Sequence, residues 1–306
     1  MFVYNRADHF VRSFDALALC PEAKDSVLFV FSDGAKNDVD AKKVSEVRSA
    51  LREKAAEQRF LKTEIVESET NKGLAASVIS GVTRVINEYG KVIVLEDDCV
   101  ASPYLLGYFN AALDHYENDL RVGSIAGYTP PLSFPDSFTA DVFAAYRSCS
   151  WGWATYERSW ENVDWELKDV REFFCSPALV RRFNADGGDR FMRLYRQTTG
   201  DGSSWSVRFG LHLVKNDLLT IYPRYSYISN IGCDETGVHS KAEDAKAMAV
   251  NLSKAIREPR FCDPEIIPEI QREMKKRYSF GPVSDMKRFF ARRLIIMKSR
   301  LNAHKA

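Results

Sequence analysis

The stretch Lys91-Val92-Ile93-Val94-Leu95-Glu96-Asp97-Asp98 runs from four uninterrupted apolar residues straight into three carboxylates. An apolar run of that length without polar alternation is the pattern of a strand buried on both faces of a parallel sheet. Gly90 stands just before it. Over 74–88, Ala75, Val78, Ile79, Val82, Val85 and Ile86 keep helical period, so a helix stopped by glycine feeds the strand. Upstream, the apolar run 27–31 closes in Ser32-Asp33-Gly34, a turn sequence. The charged stretch from 38 to 59 carries Val44, Val47 and Leu51 at i, i+3 and i+7, which predicts an amphipathic surface helix, and 63–66 predicts a strand. Repeated strand–helix units specify an α/β protein with a doubly wound, mostly parallel sheet flanked by helices.

Composition sets outer limits. The 306 residues are 45% hydrophobic and 28% charged, which excludes disordered and collagen-like classes. The net charge of +1 argues against a nucleic-acid partner. It conceals an asymmetry, because residues 285–306 hold seven Lys/Arg against one acid. Six cysteines without a CxxC pair speak against a zinc ribbon or a dense disulfide scaffold. No apolar run approaches the roughly 20 residues that span a bilayer, and the amino terminus lacks the apolar stretch of a signal peptide, so a cytoplasmic protein is expected. After Pro130, Pro131 and Pro135 comes a Trp-rich stretch, then a helical region over 169–196, a polar loop and a strand at 219–222. The expected organisation is a first half over 1–127, a second over 128–258 and a helical basic tail over 259–306.

Glu96, Asp97 and Asp98 are the sharpest chemical feature. In open α/β sheets ligands collect at the carboxyl ends of strands, and adjacent carboxylates there are costly unless a cation neutralises them. Their hard oxygens suit Mg²⁺ or Mn²⁺, which in turn suits a diphosphate. Taken alone, three such letters also describe a solvated strand end. Asp33 follows another apolar strand and is suited to accept from a base or ribose, or simply to make an Asp-Gly turn. Arg6, in Tyr4-Asn5-Arg6, is suited to a diphosphate. Asn71-Lys72-Gly73-Leu74 opens a helix. Trp151-Gly152-Trp153, with Tyr156, Trp160 and Trp205, fits either a core or a platform on which sugars stack.

The order YNR, FSDG, NKGL, VIVLEDD resembles the nucleotide-sugar half of GT-A (Rossmann-like) glycosyltransferases. It is most similar to bacterial family 2-like enzymes and to the N-acetylglucosaminyltransferases that branch N-glycans. CSWGWATYERSW at 149–160 resembles their acceptor-side segment, and SNIGCDETGVHS at 229–240 their carboxyl-terminal Gly/His element. The resemblance implies an inverting hexosyl- or N-acetylhexosaminyl-transferase that uses a nucleoside-diphosphate sugar, UDP first. It implies Mn²⁺ or Mg²⁺, a saccharide or lipid-linked acceptor, and a place in bacterial polysaccharide synthesis. It makes the acidic triplet a DxD-type element, with Asp98 as metal ligand and His239 as a second metal or diphosphate contact. Glu96 and Asp97 would meet the sugar or ribose, Asp33 the base, and Arg6 and Lys72 the nucleotide. Trp151, Gly152, Trp153 and Trp205 would line the acceptor side.

The chain departs from that pattern after Trp205, where Ser206 stands in place of the aspartate that related enzymes use as base. A serine is a poor base at neutral pH, so Asp201, Asp234 and Glu235 become the candidates. The first strand is also very short. A nucleotidyltransferase and a non-catalytic carbohydrate- or nucleotide-sugar-binding protein remain the alternatives. In the tail, Met286, Phe290, Leu294, Met297 and Leu301 keep helical spacing among basic residues. That suits either an anionic membrane surface or packing on the body.

Overall fold

The computed structural model describes residues 1–232, 248–279 and 281–303. The chain opens on β1 (Phe2–Val3), α1 (Ala7–Leu17), β2 (Val27–Ser32), α2 (Asp38–Ala56), β3 (Lys62–Glu67), α3 (Leu74–Tyr89) and β4 (Lys91–Val94). Asn37 caps α2 by accepting the Asp40 N–H at 2.9 Å, and Val44, Val47 and Leu51 form its buried face. Gly90 ends α3 at φ +72°, its N–H donating to the Ile86 carbonyl at 2.7 Å. That left-handed turn lets the chain enter β4 without a loop.

Three parallel strands run in the order β3-β2-β1. A five-stranded sheet completes the scaffold. It is built from β4, β6 (Val122–Ala126), β7 (Val142–Ala145), β8 (Trp153–Tyr156) and β9 (Leu219–Pro223), in the order β4-β8-β6-β9-β7. The Phe2 N–H donates to the Leu95 carbonyl at 2.9 Å, and Phe2 bridges Glu96 in parallel. This joins β1 to the end of β4. Read across, six strands share one direction, and β8 and β7 oppose it. A short antiparallel ribbon pairs β5 (Cys99–Ala101) with β10 (Ile228–Asn230) just beyond the acidic triplet. The α/β class and the mostly parallel sheet flanked by helices are as expected from sequence. The insertion of β8 between β4 and β6 is a tertiary result.

Apolar side chains fill both faces. On one, α1 and α4 (Leu105–His115) pack Phe10, Phe14, Leu106 and Phe109. On the other, α3 meets Trp153, the short α5 (Glu157–Trp160), and α9 (Trp205–Lys215). The helical stretch of 169–196 is three helices, α6 (Val170–Cys175), α7 (Pro177–Phe183) and α8 (Asp189–Thr198). Pro177 occupies the first turn of α7, where its missing N–H costs nothing. Their aromatic residues form a third cluster with Ala291 of the carboxyl-terminal helix Gly281–Ala303. Arg292 Nε also donates to the Phe174 carbonyl at 2.9 Å. The tail therefore packs on the body through Ala291 and Arg292, while Met286, Phe289, Phe290, Leu294 and Met297 stay exposed.

A buried ion pair ties α8 to the strand side of this third cluster. Arg147 reaches Asp189 through two bonds, at 2.6 and 2.9 Å, and stacks over the Tyr278 ring at 3.5 Å from its centroid. Burial alone would raise the Asp189 carboxyl, but the charge and hydrogen bonds of Arg147 more than offset it and hold the group below its ordinary range. Removing one partner of such a pair leaves an uncompensated buried charge. Asp189→Asn should cost about 3–5 kcal/mol in urea unfolding. Because the folded carboxyl sits below its unfolded value, its contribution is complete above about pH 4 and is lost as pH falls through the lowered value. An acid limb of the stability profile that survives unchanged in Asp189→Asn would exclude this source.

Candidate functional site

β1 and β4 lie side by side, but the chain leaves them for opposite sides of the sheet, from β1 through α1 to β2 and from β4 through α4 to β6, beyond β8. Their carboxyl ends form the crevice where an open α/β sheet accepts ligands. Tyr4-Asn5-Arg6 leaves one strand here and Leu95-Glu96-Asp97-Asp98 the other. Tyr4 Oη and Asn5 Nδ2 donate to the two oxygens of Asp40 at 2.9 and 3.0 Å, anchoring the start of α2. Arg6, the residue before α1, sends Nη2 to Asp97 Oδ1 and to Asp98 Oδ2, the latter at 3.0 Å. Ser13 of α1 donates from Oγ to the Asp97 carbonyl at 2.8 Å.

The three carboxylates differ in state. Glu96 is pushed up to about 8, by desolvation first and then by the like charges of Asp98 and Asp97. Asp97, buried, is raised to about 6 by desolvation, which outweighs the opposing pull of Arg6. At neutral pH Glu96 thus holds its proton, and Arg6 balances part of the charge that remains. Asp98 keeps more surface than Asp97 and meets two further groups. Asn230 Nδ2 donates to its Oδ1 at 3.0 Å, and the Ile231 N–H donates to its carbonyl at 2.9 Å. The backbone of Gly232 then passes so close that a Cβ there would collide with the Asp98 carboxylate.

Asp33 is brought to the same side, where its carboxylate holds backbone together. Oδ1 accepts the N–H groups of Gly34 and Lys72, and Oδ2 that of Gly73, each at 2.9 Å. Asn71 Nδ2 donates to the Gly34 carbonyl at 2.8 Å, and a Cβ on Gly34 would strike the Thr70 backbone. The FSDG and NKGL segments are therefore one stitched structure, with the Lys72 side chain exposed at its rim.

The aromatic candidates separate. Trp153 and Trp205 are core residues, stacked at 4.9 Å between ring centroids, with Trp160 and Phe209 closing on Trp153. An indole packed on both faces has none left for a sugar, which corrects their placement on an acceptor wall. Gly152, at φ +65°, is required by packing, because a Cβ would lie 2.8 Å from Ile228. Trp151 is half-buried, edge-on to Tyr128. Asp201 is exposed in the loop before α9, and its Oδ2 accepts from Thr199 Oγ1 at 3.2 Å. Asp234, Glu235 and His239 lie outside the described residues. Sequence reasoning passed over Asn230, Gly232 and Ser13. The first two stand in the quoted 229–240 segment, and their proximity to Asp98 comes only from the β5–β10 ribbon.

Among the described residues, no three metal-ligating side chains converge. Asp98 offers hard carboxylate oxygens beside Arg6 and Asn230. This donor set fits a Mg²⁺ or Mn²⁺ that brings most of its ligands with a diphosphate and water, and does not fit a cage made of protein alone.

No protein-family model and no curated protein matches this sequence. Among solved structures, the chain is similar to mannosyltransferase PcManGT from Pyrobaculum calidifontis in complex with GDP-Man and Mn²⁺, at 13% identity over 70% of this chain and 68% of that one, with a TM-score of 0.40. It is similar to an apo UDP-glucose pyrophosphorylase at 10% identity, over 74% and 90% of the two chains, with a TM-score of 0.36. Mouse xyloside xylosyltransferase 1, also apo, gives 8% identity, 71% and 82% coverage and a TM-score of 0.33.

The role of Asp33 in joining two segments has a direct consequence. Asp33→Ala strips the acceptor from the Lys72 and Gly73 N–H groups and should cost about 1–3 kcal/mol in urea unfolding without any ligand. Unchanged stability would mean that this carboxylate acts on a ligand alone.

Proposed function

We propose that this protein is a glycosyltransferase that moves a sugar from a nucleoside-diphosphate sugar, a UDP-sugar first, to a saccharide or lipid-linked acceptor in polysaccharide synthesis. The observation that carries this reading is the meeting of Arg6 with Asp97 and Asp98 in the crevice between the carboxyl ends of β1 and β4. A guanidinium presents a rigid fork of donors that matches phosphate oxygens. Beside it, Asp98 holds the carboxylate that a diphosphate-borne cation needs. A bound Mg²⁺ or Mn²⁺ supplies neutralisation of the charge growing on the departing diphosphate.

In this reading Arg6 orients the diphosphate, and Asp98 holds the cation against it. Glu96 and buried Asp97 meet the ribose or sugar as hydrogen-bonding groups. Residues 1–127 form the donor half, and residues 128–258 the acceptor half, with Trp151 as the aromatic group left for acceptor contact. Transfer is inverting, and a carboxylate removes the proton of the acceptor hydroxyl. Asp201 is the first candidate for that base, because Gly200 and Gly202, at φ +84° and +100°, flank it and let the loop change conformation. Asp234 and Glu235 follow it.

Calorimetry with UDP and Mn²⁺, together with turnover of a panel of sugar nucleotides, tests the assignment. Asp98→Ala should abolish Mn²⁺-dependent nucleotide binding and leave the far-ultraviolet spectrum unchanged. Asp201→Asn should bind normally but turn over roughly 10²-fold more slowly, the loss expected when general-base help is removed. Undiminished Mn²⁺-dependent affinity in Asp98→Ala would sink the metal assignment. Binding without turnover in the parent chain would leave a non-catalytic sugar-nucleotide binder.

The tail supports a second part of the proposal, contact with an anionic membrane on its cytoplasmic face. No helix of the described residues is long and apolar enough to cross a membrane. The row Met286, Phe289, Phe290, Leu294 and Met297 is exposed beside Lys287 and Arg293, while Ala291 faces the body. An apolar row flanked by cations matches the boundary of an anionic bilayer. Deleting the helix would also remove Ala291 from the core, so the cleaner variant is the double substitution Phe290→Ser, Leu294→Ser. It should lower sedimentation with phosphatidylserine vesicles at low salt and leave the thermal midpoint unchanged. Equal sedimentation of both proteins would refute membrane contact.

A further inference from the structure

A cation in the crevice would have to settle on Asp98, and both oxygens of that carboxylate already accept donors from the chain. Asn230 Nδ2 reaches Oδ1 and Arg6 Nη2 reaches Oδ2, each at 3.0 Å. Backbone closes the Oδ2 side further. A Cβ on Gly232 would lie 2.2 Å from Asp98 Oδ2 and 3.0 Å from Arg6 Nη1, so Gly232 packs on the ion pair itself. The Gly232 N–H donates to Asn230 Oδ1 at 2.9 Å, which holds this segment against Asp98.

The two donors on Asp98 differ in what they do to a divalent ion. Asn230 is neutral and can stay. Arg6 carries a full charge, and a guanidinium at hydrogen-bond distance from the coordinating oxygen repels a dication there, in a crevice where water screens little. A cation that displaced Arg6 would also strip it of two partners at once, because Nη2 is shared between Asp97 and Asp98. A largely covered guanidinium left without an acceptor is costly. A diphosphate removes that obstacle, since its oxygens replace the carboxylates around the guanidinium fork and exchange one charge-assisted bond for another. Arg6 is also the more accessible of the two side chains, so an incoming anion meets Arg6 before a cation meets Asp98.

We propose that Arg6 is a built-in counter-cation that guards the cation position on Asp98 until a diphosphate takes it up, so that this protein binds Mn²⁺ or Mg²⁺ only together with a diphosphate-bearing ligand. The inference rests on that part of the proposed function which brings a diphosphate and its cation into the crevice, and it adds their order. The diphosphate engages Arg6 first, Arg6 releases Asp98 Oδ2, and the carboxylate then becomes open to the cation. By linkage, the two ligands raise each other's affinity by the same factor. Direct contact between cation and diphosphate adds to that factor in any variant. The quantity that isolates Arg6 is therefore the affinity for the metal alone.

The test reads Mn²⁺ binding without nucleotide from the paramagnetic resonance of the unbound ion. Arg6→Gln should bind Mn²⁺ alone at least about tenfold more tightly than the parent chain. Adding Asp98→Asn should abolish that gain, and Arg6→Lys, which keeps the charge, should show none. In the parent, Mn²⁺ and inorganic pyrophosphate together should raise the thermal midpoint by more than the sum of their separate shifts. That measurement decides the matter if Arg6→Gln does not fold. The proposal is overturned if Arg6→Gln binds Mn²⁺ alone no more tightly than the parent, if the gain survives Asp98→Asn, or if the parent's two shifts merely add. Coupling to pyrophosphate in a chain that turns over no sugar nucleotide would end the transferase reading and leave the role of Arg6 standing. Turnover of a sugar nucleotide, with no Mn²⁺ gain in Arg6→Gln, would do the reverse.

Discussion

A single backbone junction governs this molecule. Phe2 donates to Leu95 and bridges Glu96, and through it the β3-β2-β1 sheet is continuous with the five strands that begin at β4. The junction places the end of β1 against the end of β4. Arg6 follows one and the acidic triplet follows the other, so a cation and three carboxyl groups share one partly buried crevice. Without Arg6, Asp97 and Asp98 would confront each other and Glu96 in a poorly solvated place, at a cost that a protein usually meets by protonation or by a counter-ion. Both occur here: Glu96 is raised to about 8, and Arg6 binds the two aspartates.

The groups around that crevice divide into those that hold the frame and those left over for a ligand. Asp33 holds the frame, since three N–H groups converge on it and bind the turn after β2 to the start of α3. Tyr4 and Asn5 do the same for α2 through Asp40. Asn230 and Gly232 bring a distant segment against Asp98. In the proposed function, Arg6 and Asp98 would exchange each other for a diphosphate and its cation; both retain exposed surface, their side chains being 21% and 13% accessible against 5% for Asp97. The distinction is one of hydrogen-bond capacity. A carboxylate whose oxygens already accept backbone donors gives up structure when it turns to a ligand, whereas an ion pair can be traded for another ion pair.

The aromatic residues show how a motif can mislead without context. A Trp-Gly-Trp segment has the composition of a sugar platform and of a core alike. Here β8 carries Trp153 between β4 and β6, and α9 lays Trp205 over it, so both rings serve packing. The tail shows the converse. Its helical period is plain in the sequence, but the face that packs, through Ala291 and Arg292, is not the large apolar row. That row remains outside because the cluster beneath the helix is already filled by phenylalanines of α6, α7 and α8.

The sequence by itself determined the class of fold and the location of the acids. Apolar runs that end in turns, and helices of regular period stopped by glycine, are local patterns. They place β2, β4 and α3 to within a residue, and α2 from its first residue to within three of its end, because an apolar run or period closed by a turn or a glycine admits few other readings. Tertiary structure alone decided which polar groups touch. Arg6 and Asp97 are separated by 91 positions, and Asn230 and Asp98 by 132. Neither pairing leaves a periodic mark, since a hydrogen bond between side chains constrains two residues and nothing between them. The insertion of β8 and the double use of Asp33 belong to the same kind. Each depends on which chain segments become neighbours, a choice made by the packing of the whole sheet and invisible in any one segment.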